Sequence, residues 1–392
     1  MRIPYRDPLP PPAIIPRSAT TLPAAVAALV QFLTSPSPNG LPESTVVLSG
    51  AGLSVASGLA DYRGVNGTYR VNKAYHPIYY SEFMASHTSR QRYWARSFLG
   101  WPTLHNAAPN AGHYAIRDLG RLGFVKSVIT QNVDSFHSTA HPDIQTTELH
   151  GYLRAAVCTT CREEFSRDVF QHELARLNPT WDSFLHDALA SGALNPDDPS
   201  KKTVLKGLRT NPDGDVDLAD APYTTFRYPP CPHCLAESPR LMRNQGLAVD
   251  VDEDGAWKDG STAGVLKPAV VMFGENIPKR VKMAAEAAID RAGKILVLGT
   301  SLATASAWML ARKAKERGMP IAVINLGGVR GEELFFPDPD VLRSGAHAVR
   351  VELPTDRLLP ALVDELKTQS VAGDSEATRI PEPNNSEAFK DI

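Results

Sequence analysis

All four cysteines of the chain fall into two pairs, Cys158-x-x-Cys161 and Cys231-x-x-Cys234, and none is left over. A secreted disulfide scaffold is small and cysteine-dense, and four cysteines in 392 residues is neither. Two such knuckles read as a tetrahedral site that holds one zinc ion through four thiolates. The two-residue spacing lets both sulfurs of a knuckle turn toward one ion, which then staples segments that are otherwise loose. A pair of redox CxxC motifs is the competing reading, and the absence of any spare cysteine counts against it. Thiolate-bound zinc also points to a reducing compartment. Residues 162–230 separate the pairs. That is far more than the roughly 15–20 residues of an ordinary zinc ribbon, so the knuckles flank a long insertion.

Around this segment the chain alternates between two patterns. STVVLSGAG, FVKSVITQN, KILVLGTS and IAVINLG are short apolar, β-branched runs that stop at small or polar residues. VKMAAEAAIDRAG and ASAWMLARKAKERG carry helical spacing between them. The alternation predicts an α/β fold, a doubly wound, Rossmann-like parallel sheet. A small zinc module (about 152–265) and a helical insertion (about 61–112) interrupt it. The Rossmann-like parts are about 43–60, 113–151 and 266–353. The polar, Pro-, Gly- and Asp-rich stretch LNPDDPSKKTVLKGLRTNPDGDVDLADAP reads as a long surface loop. Residues 354–392 are expected to form a helix and a solvated tail.

Charge narrows the function classes. The chain has 41 basic against 43 acidic side chains, so no global basic field favours nucleic acid. No run of about 18 apolar residues predicts a membrane span. The sequence assigns no oligomeric state. Residues 1–42 hold Arg2, Arg6 and Arg17 but a single acid, Asp7, among the first 42. Two readings of this segment stand: a mitochondrial transit peptide, or a proline-rich arm followed by the short helix TLPAAVAALVQFL. Pro4, Pro8, Pro10, Pro11, Pro12 and Pro16 forbid a helix over the first 16 residues. The expected address is the mitochondrial matrix, with cytoplasm or nucleus as the alternative.

Gly50-Ala51-Gly52 and Gly58 follow the first strand pattern. Such glycines serve either a tight turn or close approach to a pyrophosphate at a helix N-terminus. The full segment is more distinctive: Gly50, Ala51, Gly52, Ser54, Ser57, Gly58, Asp61, Tyr62, Arg63 and Gly64 read GAGxSxxSGxxDYRG. TQNVD (130–134), LHG (149–151), the two cysteine pairs, KPAVVMFGE (267–275), GTS (299–301) and NLG (325–327) follow in order. Over residues 43–353 the sequence resembles the sirtuins, NAD-dependent protein deacylases. RQRYWARSFLGWP, LNPTW and NPDGDVDL narrow the resemblance to mitochondrial class II members of the four-type.

The resemblance implies roles. NAD would be the co-substrate and an acyl-lysine protein the substrate. In sirtuins the acyl carbonyl oxygen attacks the nicotinamide ribose, nicotinamide leaves, and an alkylimidate forms. His150 would then deprotonate a ribose hydroxyl, a task that suits an imidazole with an ordinary pKa of roughly 6.5. Asn132 would join it in catalysis, with Asn132 and Asp134 around the nicotinamide ribose and carboxamide. Gln131 would contact a ribose hydroxyl. Asp61, Tyr62 and Arg63 would lie on a loop closing over NAD. Gly299, Thr300, Ser301, Asn325, Leu326, Gly327 and Ala346 would meet the adenosine half. Val270 and Phe273 would line the acyl-lysine tunnel, where the peptide adds as a strand. Ala60 and Ala269 depart from the family, which has Pro and usually a polar residue there. Cys158, Cys161, Cys231 and Cys234 would bind structural zinc, while His113, His137 and His141 are expected at the surface or in packing.

Tyr93 and Arg96 share a helix face at i and i+3. Some sirtuins use a Tyr-x-x-Arg pair to bind an acidic acyl group, so one expectation is a preference for glutaryl-like chains. The other is an ordinary amphipathic helix with a snorkelled arginine. At the level of activity, the alternatives to a deacylase are a protein mono-ADP-ribosyltransferase at the same NAD site, a zinc-containing binding module and a hydride-transferring dehydrogenase.

Overall fold

Each β-branched run becomes a strand, and three of the four are buried along their whole length. The computed structural model describes residues 9–73, 75–194, 209–237, 245–337 and 345–377. In chain order the strands are β1 Thr45–Ser49, β2 Val125–Thr130, β3 Gln145–Glu148, β4 Gly151–Cys158, β5 Glu164–Ser166, β6 Arg209–Thr210, β7 Val216–Asp217, β8 Leu266–Val270, β9 Lys294–Leu298, β10 Ile321–Ile324 and β11 Ala348–Val351. Six of them form one sheet in the order β11-β10-β9-β1-β2-β3. All of its pairings are parallel.

The strand pleat sorts the core. Val47, Leu296, Leu298, Ala322, Ile324 and Val351 face the helices Leu22–Thr34, Ala111–Arg121 and Thr355–Ala377. Val46, Leu48, Ile295, Val297 and Val323 face Lys279–Asp290 and Ala305–Glu316. Helices on both faces explain why the runs are apolar throughout rather than alternating. Chain order diverges on either side of β1, which pairs with both β2 and β9. A doubly wound sheet opens its ligand crevice at such a switch point, beyond the carboxyl ends of the strands.

Three expectations change here. First, β8 does not join the parallel sheet. It pairs antiparallel with β4, and β4 with β5, in a second sheet. The KPAVV segment therefore belongs with the cysteine module. Second, the helical insertion and the zinc module are not separate appendages. The helix His87–Asn106 shares one core with Arg167–Leu177 and Pro179–Ala190, in which Trp94, Phe98, Phe170, Trp181, Phe226 and Trp257 pack together. Third, the stretch expected as a surface loop is not all surface. Its residues 195–208 lie outside the described residues, but β6 and β7 form a hairpin whose Asn211 and Val216 are buried.

At the termini, the Leu22–Thr34 helix is a core element. Leu29 and Phe32 are fully buried, and Ile15 pairs with Arg350 on the edge strand β11. A cut after residue 42 would remove that helix from the sheet. At the other end, the Thr355–Ala377 helix runs into the stretch read as tail, whose residues 378–392 lie outside the described residues. Among the described residues no helix is long and apolar enough to cross a membrane.

Candidate active site

The polar strand ends open onto a cavity of about 2070 Å³. Gly50, Asp61, Asn132, His150, Phe273 and Asn325 all line it, although they lie up to 275 residues apart in the chain. Of the sequence-predicted cofactor and substrate residues, all but Arg96 and Ala346 border this space.

Gly50 and Gly52 are explained by their neighbours within the protein. A Cβ on Gly52 would sit 2.8 Å from the Gly299 carbonyl oxygen, and one on Gly50 2.6 Å from Thr300 Cβ. The first turn therefore packs directly against the turn after β9, which favours the structural of the two roles read for these glycines. The chain then forms the 3₁₀ segment Ala51–Ser57 and leaves it at Gly58 with φ +83°.

His150 occupies the two residues between β3 and β4, where the parallel sheet gives way to the cysteine module. Its Nδ1 lies 3.1 Å from the Gln131 carbonyl oxygen, which can only accept, so that nitrogen carries the proton. Nε2 is left as an acceptor, and the Ser306 hydroxyl donates to it at 2.8 Å. Burial holds the imidazole neutral, down to about 4, against the favourable bond to Gln131. The side chain is thus a fixed tautomer that lines the cavity, with its acceptor nitrogen occupied by Ser306.

Gln131 is spent on positioning. Its amide donates to Thr300 Oγ1 at 2.8 Å and to the Ser49 carbonyl, and its oxygen accepts from Thr304. Asn132 donates to the Gly50 carbonyl and to Ser54 Oγ, and Ser54 donates to Asp134 at 2.7 Å. Burial raises the Asp134 carboxyl above its ordinary range, offset by the Phe136 backbone amide and Ser54. Asp61 accepts from the Gly64 amide and Arg63 lies over the Tyr69 ring, which shapes the turn that carries Tyr62. Tyr62 donates its phenolic hydrogen to Asp213.

Asp213 exposes what the sequence left out. Asn211, Pro212, Asp213 and Asp215, from the β6–β7 turn, line the cavity. The insertion between the cysteine pairs therefore reaches back to the site. In the sequence these residues stood out only within NPDGDVDL, a point of family resemblance that did not place them at the site. Ser306 and Glu352 were also missed; the latter accepts from the Gly327 amide at 2.8 Å.

Arg96 does not reach the cavity. It is 1% exposed and pairs with Asp215 at 2.6 Å and Asp217 at 3.8 Å. Burial alone would lower its pKa, but those two carboxylates more than offset it and hold the guanidinium charged. Tyr93 does line the cavity, with its ring edge-on to Phe83 and Trp94. The Tyr-x-x-Arg pair thus supplies a phenol and no available guanidinium. Ala346 is displaced for a topological reason: it precedes β11, at the amino end of a parallel strand, whereas Glu352 and Leu353 at the carboxyl end line the cavity.

His137, expected in packing, accepts or donates at both ring nitrogens, to Ser49 Oγ at 2.7 Å and His141 at 2.9 Å. With His113 it forms a buried cluster behind the first glycine turn, and burial depresses all three imidazoles.

The four cysteines converge. Their sulfurs lie within 4.8 Å of one another, with Cys158–Cys234 and Cys161–Cys231 each at 3.6 Å. A tetrahedral ion with Zn–S bonds of about 2.3 Å places its sulfurs roughly 3.8 Å apart, so the set fits zinc. Thr160 and Cys234 amides donate to Cys158 and Cys231, as thiolates require. Four such ligands fill the coordination sphere and leave no open position, which makes the role structural.

A doubly wound sheet, an apolar and polar crevice at its switch point and a four-cysteine module together define a nucleotide-using α/β enzyme class with an inserted zinc site. Comparison with known proteins makes this specific. The Sir2 family model matches residues 50–306. The chain is 40% identical over 294 residues to the NAD-dependent protein deacylase SIR4 of Batrachochytrium dendrobatidis, spanning 74% of this chain and 83% of that one. It is 35% identical over 289 residues to the NAD-dependent protein deacylase SRT2 of Arabidopsis thaliana, spanning 74% and 67%. A solved chain from work on the mechanism and regulation of Sir2 enzymes matches with a TM-score of 0.52 at 23% identity, covering 88% of this chain and 97% of that one, a likeness of fold. The chain belongs to the Sir2 family.

Proposed function

We propose that this protein is an NAD-dependent protein lysine deacylase, which moves an acyl group from lysine to ADP-ribose and releases nicotinamide. The carrying observation is His150, a buried imidazole lining the cavity that Asn132, Asp134 and Val270 share, with its proton fixed on Nδ1 and its Nε2 lone pair held by the Ser306 hydroxyl. NAD supplies an electrophilic ribose carbon with nicotinamide as leaving group. His150 Nε2 accepts a proton from a ribose hydroxyl once the Ser306 hydroxyl has given way. Gln131 holds the imidazole through its own carbonyl and is itself braced by Thr300 and Thr304.

The substrate strand has a prepared edge. The Val271 amide donates to the His150 carbonyl at 2.7 Å, which ties the segment Val270–Phe273 to the His150 backbone. Lys267 reinforces it, donating to the Val270 carbonyl and pairing with Glu275. An acyl-lysine peptide added along this edge would place its side chain beside Tyr93 and Asp213. Two carboxylates, and an arginine already paired, favour a neutral acyl group over a dicarboxylic one. The motifs RQRYWARSFLGWP and NPDGDVDL support placement among the class II, four-type members.

The test is a panel of acyl-lysine peptides with NAD, read by nicotinamide release, with wild-type protein and His150→Ala. Turnover should fall by about 10²–10⁴-fold in the variant, with the fold retained. Normal turnover by His150→Ala would overturn the assignment. Label that stays on protein rather than in soluble acyl-ADP-ribose would replace deacylation with ADP-ribosylation.

A further inference from the structure

The proline-rich arm does not simply precede the fold. Its residues Leu9, Pro11 and Pro12 line the same cavity as Asn325 and Gly327. The contact is close: a Cβ on Gly328 would lie 3.1 Å from Leu9 Cβ and would collide with the Pro10 carbonyl. Two backbone hydrogen bonds then fix the arm's register, Ile15 amide to Arg350 carbonyl at 3.0 Å and Arg350 amide to Ile15 carbonyl at 2.8 Å.

Arg350 is the common anchor. Its side chain is fully buried, and its guanidinium donates to the carbonyls of Asn325 and Gly327 and pairs with Glu332 at 2.7 Å. One residue therefore holds the Asn325–Gly327 turn through its side chain and the arm through its backbone. Prolines suit such a wall, because their fixed φ lowers the entropy lost on ordering and they bring no unpaired amide to the cavity.

We infer that residues Leu9–Pro12 form the outer wall of the adenosine half of the cofactor site and contribute directly to its affinity for the ADP-ribose portion of NAD. This rests on the reading that the Asn325–Gly327 turn meets the adenosine half. The arm's residues Leu9, Pro11 and Pro12 close over one side of the nucleotide with apolar side chains.

The test uses ADP-ribose and nicotinamide as separate probes, with binding followed by calorimetry. Two variants displace the arm: deletion of residues 2–12, which spares the Ile15 pairing, and Gly328→Ala, which drives the Pro10 carbonyl away without altering the arm's sequence. Each should weaken ADP-ribose binding about five- to tenfold, raise KM for NAD similarly, and leave kcat at saturating NAD and nicotinamide affinity in place. Unchanged or tighter ADP-ribose binding in both variants overturns the proposal. Asn325→Ala separates the two layers of the argument. If it weakens ADP-ribose binding while the arm variants do not, the arm alone is excluded. If it too has no effect, the placement of the adenosine half fails.

Discussion

Tyr62 donates its phenolic hydrogen to Asp213, joining the turn that follows the first glycine motif to the insertion between the two cysteine pairs. The two residues are 151 positions apart, and Tyr75 reaches the same carboxylate at 3.4 Å. The turn after the first glycine motif and the zinc-module insertion are thereby joined at one carboxylate.

Asp213 is half-buried, and its desolvation, with Asp215 adding to it, pushes its carboxyl up to about 6. A raised carboxylate stabilises the fold below its ordinary range near 4, and that contribution is lost as pH rises through about 6. Asp213→Asn should therefore stabilise the protein by about 2 kcal/mol at pH 7.5 and by little at pH 4.5. Thermal melts at both values check this; an equal shift at the two would contradict it. Tyr62→Phe should raise KM for NAD a few fold by releasing the turn.

The acyl group follows from Arg96. Its pairing with Asp215 predicts that acetyl-lysine or another neutral acyl peptide is turned over faster than its glutaryl counterpart. Arg96→Ala should act mainly on stability, costing about 3–5 kcal/mol, because it leaves Asp215 buried and unpaired. A variant that folds normally but loses only glutaryl turnover would reverse this reading.

Acid should loosen the sheet behind the glycine turn. Burial lowers His137 and takes His113 to about 3. A depressed imidazole contributes stability above its ordinary pKa of about 6.5 and loses it as pH falls below that value. Melting temperatures from pH 7.5 to 5 should decline, and His113→Gln should make the decline shallower. A flat profile in the wild type would exclude the cluster as its source.

Metal removal should reach the catalytic edge. Cys158 ends β4 and Leu266 begins β8, and these strands carry His150 and Val270 at their far ends. A strong chelator or Cys158→Ser should cost more than about 3 kcal/mol and abolish deacylation together with near-ultraviolet structure. Full activity in zinc-free protein would refute the bracing role.

Local pattern carried much of the sirtuin framework. Continuous apolar, β-branched runs placed the strands and period-3.6 spacing the helices, because burying two faces of a parallel strand demands an unbroken apolar run. The cysteine spacing encoded a metal site, since two residues between thiols set the bite of a knuckle. His150 and the Asn132–Asp134 turn were legible through the LHG and TQNVD motifs that carry the sirtuin resemblance.

What the sequence could not show was which distant groups meet. Arg96 sits at the spacing of a ligand-binding residue, yet its charge goes to Asp215 and Asp217, 119 and 121 positions away. A buried guanidinium takes the carboxylate that packing brings nearest, whatever its separation along the chain. The long insertion looked like surface because its composition is polar, and only the tertiary structure turns Asp213 toward Tyr62. The prolines of the arm ruled out a helix from sequence alone. Their place beside Gly328 was decided by the edge of β11, which offered Ile15 two backbone partners.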